Sequence, residues 1–196
     1  MTEDDGSSSE WLRALQGLAA RVAHEIRNPL NAVAVNLEVV RARCERGSVE
    51  ASAVLPFATA AAGELDRVSR LVDALLAVAR PARNDLAALA GPVITLYDAL
   101  ASAEGGSVTI DLSEGATGIG IAADHARAAL AATLDPMLGP GVAIRVHIVA
   151  DGDGVAARFS GPRVTPKLPV GVRLQPEPSG LTLFFPARTR SSNETE

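Results

Sequence analysis

The stretch RVAHEIRNPLNAV, residues 21–33, sets a histidine beside a glutamate and drops a proline five residues further along. The apolar positions around it, Leu12, Leu15, Ala19, Val22, Ile26, Pro29 and Val33, recur three and four apart. That is the spacing of a helix packed lengthwise on another. The pattern stutters at Asn36 and resumes one position later with Leu37, Val40 and Cys44. RGS at 46–48 reads as a stop and a restart, Gly47 fitting a C′ position and Ser48 an N-cap. A first helix from Trp11 to Arg46 would be about 54 Å long.

A second helix carries the stripe Leu65, Val68, Val72, Leu75 and Ala79 and ends at ARPAR, where Pro81 cannot continue it. Its secure part begins at Pro56. One hairpin of such helices cannot bury both apolar stripes, so a second copy is expected to complete a four-helix bundle. Packing of the hairpin on the chain's own C-terminal half is the plainer alternative.

With Leu12 at heptad position a, His24 falls at f, farthest from the seam. Arg21 and Asn28 fall at c, Arg27 at b and Asn31 at f. His24 thus lies in a polar, solvent-facing stripe with Asn28 one turn along. Pro29 has no N–H to give the Glu25 carbonyl, and such a proline costs about 3 kcal/mol inside a helix. A bend that loosens the turn around His24 is the expected consequence.

These residues carry a resemblance. AHEIRNPLNAV resembles the H-box of the dimerisation and phosphotransfer domain of two-component sensor histidine kinases, and ELDRVSRLVDALLAVARP resembles that domain's second helix. The likeness covers Trp11 to Pro81. It implies that His24 is the phospho-acceptor and that Glu25 holds the second ring nitrogen. It also implies that Asn28 orients water against a partner's aspartyl phosphate, and that Arg21, Arg27, Asn31 and Val35 meet that partner. A neutral imidazole is nucleophilic near neutral pH, and in-line phosphoryl transfer asks mainly for positioning and charge stabilisation.

Beyond Pro81 the texture changes. DLAALAGPVITLYDALA reads as a helix that Gly91-Pro92 should break or start, and ADHARAALAATLDPML as another. SVTIDL, GIGIA, VAIRVHIV, GVAARFS and LTLFFPA read as strands, with DGDG at 151–154 as a hairpin turn. The expected class is α+β. A helical hairpin (11–82) precedes a small α/β sandwich (83–188), between a flexible tail at 1–10 and a disordered one at 189–196.

The element order of that sandwich is similar to the kinase family's ATP-binding domain, but the nucleotide motifs are missing. Ala132 and Pro136 stand where the family's magnesium-binding asparagine is expected. GVAARFS runs into GPRV with no Asp-x-Gly-x-Gly turn. PRVTPKLPVGVR, residues 162–173, is too short for an ATP lid with its helix. ATP binding is therefore not expected, no cofactor or metal is assigned to this chain, and Mg²⁺ would arrive with a receiver partner.

Composition narrows the classes further. The 196 residues carry a formal net charge of −5, against a general nucleic-acid binder. Aromatics make up 3%, so small aliphatic side chains must fill the core. No membrane span or secretory leader is read, and the single Cys44 suits a reducing cytoplasm; it should pack at the lower end of the first helix. Asp151 with Asp153 lacks further calcium ligands, His125 and His147 lack metal-ligand companions, and Arg188 and Arg190 read as solvated.

The leading expectation is a dimeric histidine phosphotransferase that exchanges phosphoryl at His24 with receiver-domain aspartates. A response-regulator phosphatase using Glu25 and Asn28 is the nearest alternative. A non-catalytic pseudokinase that regulates a kinase or receiver follows, and an active autokinase ranks last.

Overall fold

In the computed structural model, residues 4–47, 50–81, 83–115 and 117–188 are described. Helix α1 (Asp4–Glu45) and helix α2 (Ala51–Ala79) form an antiparallel hairpin. At its closed end Arg43 donates to the Ala53 carbonyl at 2.6 Å and lies 4.6 Å from the Phe57 ring centre. Gly47 takes the C′ position with φ +83°, a left-handed conformation that glycine adopts without a Cβ clash. Ser48, the expected N-cap, lies outside the described residues, as do the tail 189–196 and Arg190.

α1 begins at Asp4, which corrects the expectation of a flexible segment up to residue 10. Trp11, only 5% exposed, then docks the first turns onto the C-terminal half. The helix passes through Pro29 without interruption.

The seam is rotated relative to the expected one. Trp11, Leu18, Val22, Pro29 and Val33 are buried, whereas Leu12 is 54% exposed. The reason is a second neighbour: α1 packs on helix α4 as well as on α2, so its inward face is centred between the two. α2 is helical from Ala51, and Pro56 sits within it. It buries Ala61, Leu71, Ala74 and Val78 and leaves Leu55, Leu65, Val72 and Leu76 facing out.

Helix α3 (Leu86–Ser102) starts at Asp85, whose carboxylate accepts from the Ala88 N–H at 2.9 Å and from the Thr117 hydroxyl at 2.8 Å. Gly91-Pro92 does not break it, contrary to expectation. Leu89, Val93, Leu96 and Leu100 are all buried one turn apart, and each such side chain contributes about 1.5–3 kcal/mol, enough to offset one missing backbone bond.

Strands β1 (Ser107–Leu112), β2 (Ala143–Asp151), β3 (Gly154–Ser160), β4 (Arg173–Glu177) and β5 (Gly180–Pro186) form one mixed sheet in the order β1-β2-β3-β5-β4. β1 and β2 are parallel, with helix α4 (Ala123–Leu134) in the connection, and the remaining pairs are antiparallel. The β2–β3 hairpin pairs Asp151 with Gly154, and Gly152 turns it with φ +56°.

GIGIA is not a strand; it contributes only bridges from Gly118 to Asp85 and from Ile119 to Ala187. β4 was not foreseen, because RLQPE lacks an apolar alternation and contains Pro176. A proline is tolerated there because β4 is an edge strand. At the other edge the Asp98 side chain accepts from the Val108 N–H at 2.9 Å.

Ile144, Val146, Ile148, Val155, Phe159, Leu183 and Phe185 join α3 and α4 in one core, which also takes in Trp11, Leu18, Val22, Leu71, Ala74 and Val78 of the hairpin. The open end of the hairpin is thus packed on the C-terminal half, as the plainer alternative anticipated for part of its length. The rest of the hairpin stands free of it, with its outward apolar residues uncovered.

Candidate functional site

His24 lies near the middle of α1, exposed, and among the described residues its ring has no hydrogen-bond partner. Arg27, Asn28, Asn31 and Val35 are exposed as well, Val35 to 64%. Their spacing of three and four places them along the His24 face of α1.

Two expected members are turned elsewhere. Glu25 is half-buried, and its carboxylate sits 3.8 Å from the Arg67 guanidinium on α2. Consecutive helix residues point about 100° apart, so a residue beside His24 faces α2 when His24 faces solvent. The structure does not bring Glu25 and the imidazole together. Arg21 pairs with Asp135, in the short 3₁₀ turn Asp135–Met137 that follows α4. One turn before His24, it ties α1 to the C-terminal half.

A third contact closes this junction. Arg127 of α4 is 6% exposed, donates to the Arg80 carbonyl at 2.5 Å, and approaches Asp124 at 3.4 Å. Its guanidinium also stands 5.8 Å from the Trp11 ring centre. One buried cation therefore joins the start of α1, the end of α2 and α4. Pro29, on the buried side of α1, leaves the Glu25 carbonyl without an N–H from position 29.

Sequence reasoning missed Arg67, Arg127 and Asp135. Arg67 lies in the segment whose resemblance was noted, yet its partner is on another helix. The signal for Arg127 was available: an arginine among the seven alanines and leucines of ARAALAATL cannot be solvated if that helix is core.

In the C-terminal half, Ala132 of α4 is half-buried and Pro136 exposed; neither offers a polar side chain. Residues 161–172, between β3 and β4, form an irregular loop. Tyr97 is buried, its hydroxyl donating to the Ala131 carbonyl at 3.2 Å. Burial first, and the nearby Asp135 carboxylate second, push its ionisation above the usual phenol range.

The remaining polar residues are ordinary. His147 shares a 2.7 Å hydrogen bond with the Ser113 hydroxyl, and His125 is half-buried. Cys44 is exposed rather than packed, and Leu37 is 52% exposed, so the stripe that resumes after Asn36 is not a buried seam. Arg188 is exposed. Among the described residues, no group of three or more His, Cys, Asp or Glu side chains is placed to hold a metal ion. Among them, too, no helix is long and apolar enough to cross a membrane.

Residues 14–84 match the family model of the His Kinase A (phospho-acceptor) domain. The match spans both helices of the hairpin from Ala14 on, and it supports a histidine-kinase-like domain carrying His24. Two-component signalling through a phosphohistidine is the function this fits. No curated protein matches the chain.

Proposed function

We propose that the chain is a histidine phosphotransferase of a phosphorelay: a homodimer that takes phosphoryl from one receiver-domain aspartate onto His24 and passes it to another. The observation that carries this reading is the exposed imidazole of His24, without a hydrogen-bond partner among the described residues, within a hairpin that matches a phospho-acceptor domain. A group that must meet the aspartates of visiting domains has to be uncovered. A histidine kept for packing would be buried.

In the transfer, a ring nitrogen lone pair forms the N–P bond as the aspartyl O–P bond breaks, and the electron pair leaves with the carboxylate. The receiver supplies Mg²⁺. The ring's other N–H needs an acceptor in the resulting imidazolium, and Glu25 reaches that role by rotating away from Arg67. Arg27, Asn31 and Val35 form the receiver contact along α1. Arg21, held by Asp135, orients that turn rather than contacting the receiver.

Dimerisation is supported by the uncovered apolar residues of α2. Leu55, Leu65, Val72 and Leu76 follow a heptad-like spacing on its outward face. A second hairpin laid on them would make the four-helix bundle. Several such residues in a row on one helix exceed the scattered exposure normal for a monomer.

No role for ATP is proposed. Ala132 of α4 and Pro136 just after it stand where a magnesium-binding amide would be needed, and residues 161–172 hold no lid helix. A second reading, aspartyl-phosphate hydrolysis, is favoured by the exposure of Asn28 one turn from His24.

Incubating the chain with a receiver domain carrying labelled aspartyl phosphate separates the readings. Acid-labile, base-stable label on the wild-type chain and none on His24→Ala is the expected result. Release of inorganic phosphate that persists in His24→Ala but not in Asn28→Ala would replace the transferase by the phosphatase. Label acquired from ATP alone would overturn the account of the C-terminal half.

A further inference from the structure

A cleft of about 460 Å³ opens where α1 meets α4 and the loop 161–172. It lies within the usual size range of small-molecule sites. Arg13 and Gly17 of α1 form one wall, Ala128 and Ala132 of α4 the other, and Lys167 enters from the loop. The Arg21–Asp135 pair sits at the same cleft. Alanine and glycine walls leave room for a flat body and offer it no hydrogen-bonding side chain.

The charges are unbalanced. Arg21 and Asp135 cancel, but Arg13 and Lys167 have no ion-pair or hydrogen-bond partner among the described residues. In a chain of net charge −5, two uncompensated cations facing one concave, small-residue surface favour an anion there.

We propose that this cleft binds a small organic anion with a flat apolar body, which lies on the alanine and glycine walls while Arg13 and Lys167 meet its charge. Both halves of the chain contribute, so the bound anion would bridge the helical hairpin and the sandwich. The cleft shares the His24 face of α1, since Arg13, Gly17 and Arg21 precede His24 by eleven, seven and three residues, and its occupancy is read by binding alone.

The structure supplies a clean perturbation. A Cβ added at Gly17 would meet nothing within 4 Å, and leucine is a better helix former than glycine, so Gly17→Leu fills the cleft without endangering the fold. The probe is 8-anilinonaphthalene-1-sulfonate, titrated into the full chain by calorimetry and fluorescence, with uncharged N-phenyl-1-naphthylamine as its control.

The expected result is one saturable site for the sulfonate, with the neutral analogue bound about tenfold more weakly or worse. Both Gly17→Leu and the Arg13→Ala/Lys167→Ala double variant should weaken sulfonate binding by about tenfold or more. Equal affinity for charged and neutral probes, or affinity unchanged in both variants, would overturn the proposal. So would the absence of saturable binding.

Discussion

Replacing Arg127 by methionine keeps most of the side-chain stem and removes the charged head. That head donates to the Arg80 carbonyl at 2.5 Å and lies 5.8 Å from the Trp11 ring centre. A hydrogen bond from a charged donor is worth about 1.5–3 kcal/mol. A cation over a desolvated indole adds about 0.5–2 kcal/mol. The Asp124 contact, at 3.4 Å with a partly exposed partner, adds little after solvent screening. Methionine restores some apolar burial, so the net loss should be about 2–4 kcal/mol, or about 5–15 °C in Tm for a domain of this size. Urea unfolding by circular dichroism measures it.

A cycle with Trp11→Leu isolates the ring contact and should show about 0.5–2 kcal/mol of coupling. A loss below about 0.5 kcal/mol in Arg127→Met would refute the claim that this cation holds the three helices together, since that is the scale of an ordinary surface change.

Three further outcomes are expected. Leu65→Glu combined with Leu76→Glu, both on the outward face of α2, should shift the chain from dimer to monomer in analytical ultracentrifugation while leaving its helical signal unchanged. A wild-type monomer would exclude the bundle. Asp85→Ala removes the cap on the Ala88 N–H and the acceptor of the Thr117 hydroxyl, and should cost about 1–2 kcal/mol by chemical denaturation. Tyr97 is held protonated in the folded chain, chiefly by burial. Above about pH 10 the unfolded chain's phenol loses its proton while the folded one retains it, so this residue's contribution falls as pH rises. Tyr97→Phe should flatten that alkaline decline, and an unaltered slope would count against it.

Much of this was legible in the residues. The hairpin, its break near Gly47 and the exposed face of His24 followed from period and caps, because one long helix with one dominant neighbour obeys a simple repeat. Leu12 and Trp11 exchanged roles because α4 gives α1 a second neighbour, and a heptad count along one helix cannot see it. Four of the five strands followed from alternation or β-branched runs, whereas β4 did not, since an edge strand is held by pairing with β5 and not by its own apolar pattern. GIGIA failed for the converse reason: it has the alternation but finds only single bridges. At the site, exposure was readable and pairing was not. Arg21–Asp135 joins residues far apart in sequence, and Glu25–Arg67 crosses between helices.

The two rims of the sheet have a consequence for assembly. Pro176 withholds an amide on β4, and the Asp98 carboxylate occupies one on β1, so neither rim presents a complete ladder to a neighbouring chain. Strand-to-strand stacking, which can extend into filaments without limit, is thereby discouraged at both ends. The proposed pairing through the outward face of α2 would by contrast close after two copies, because a single self-complementary face leaves nothing to offer a third.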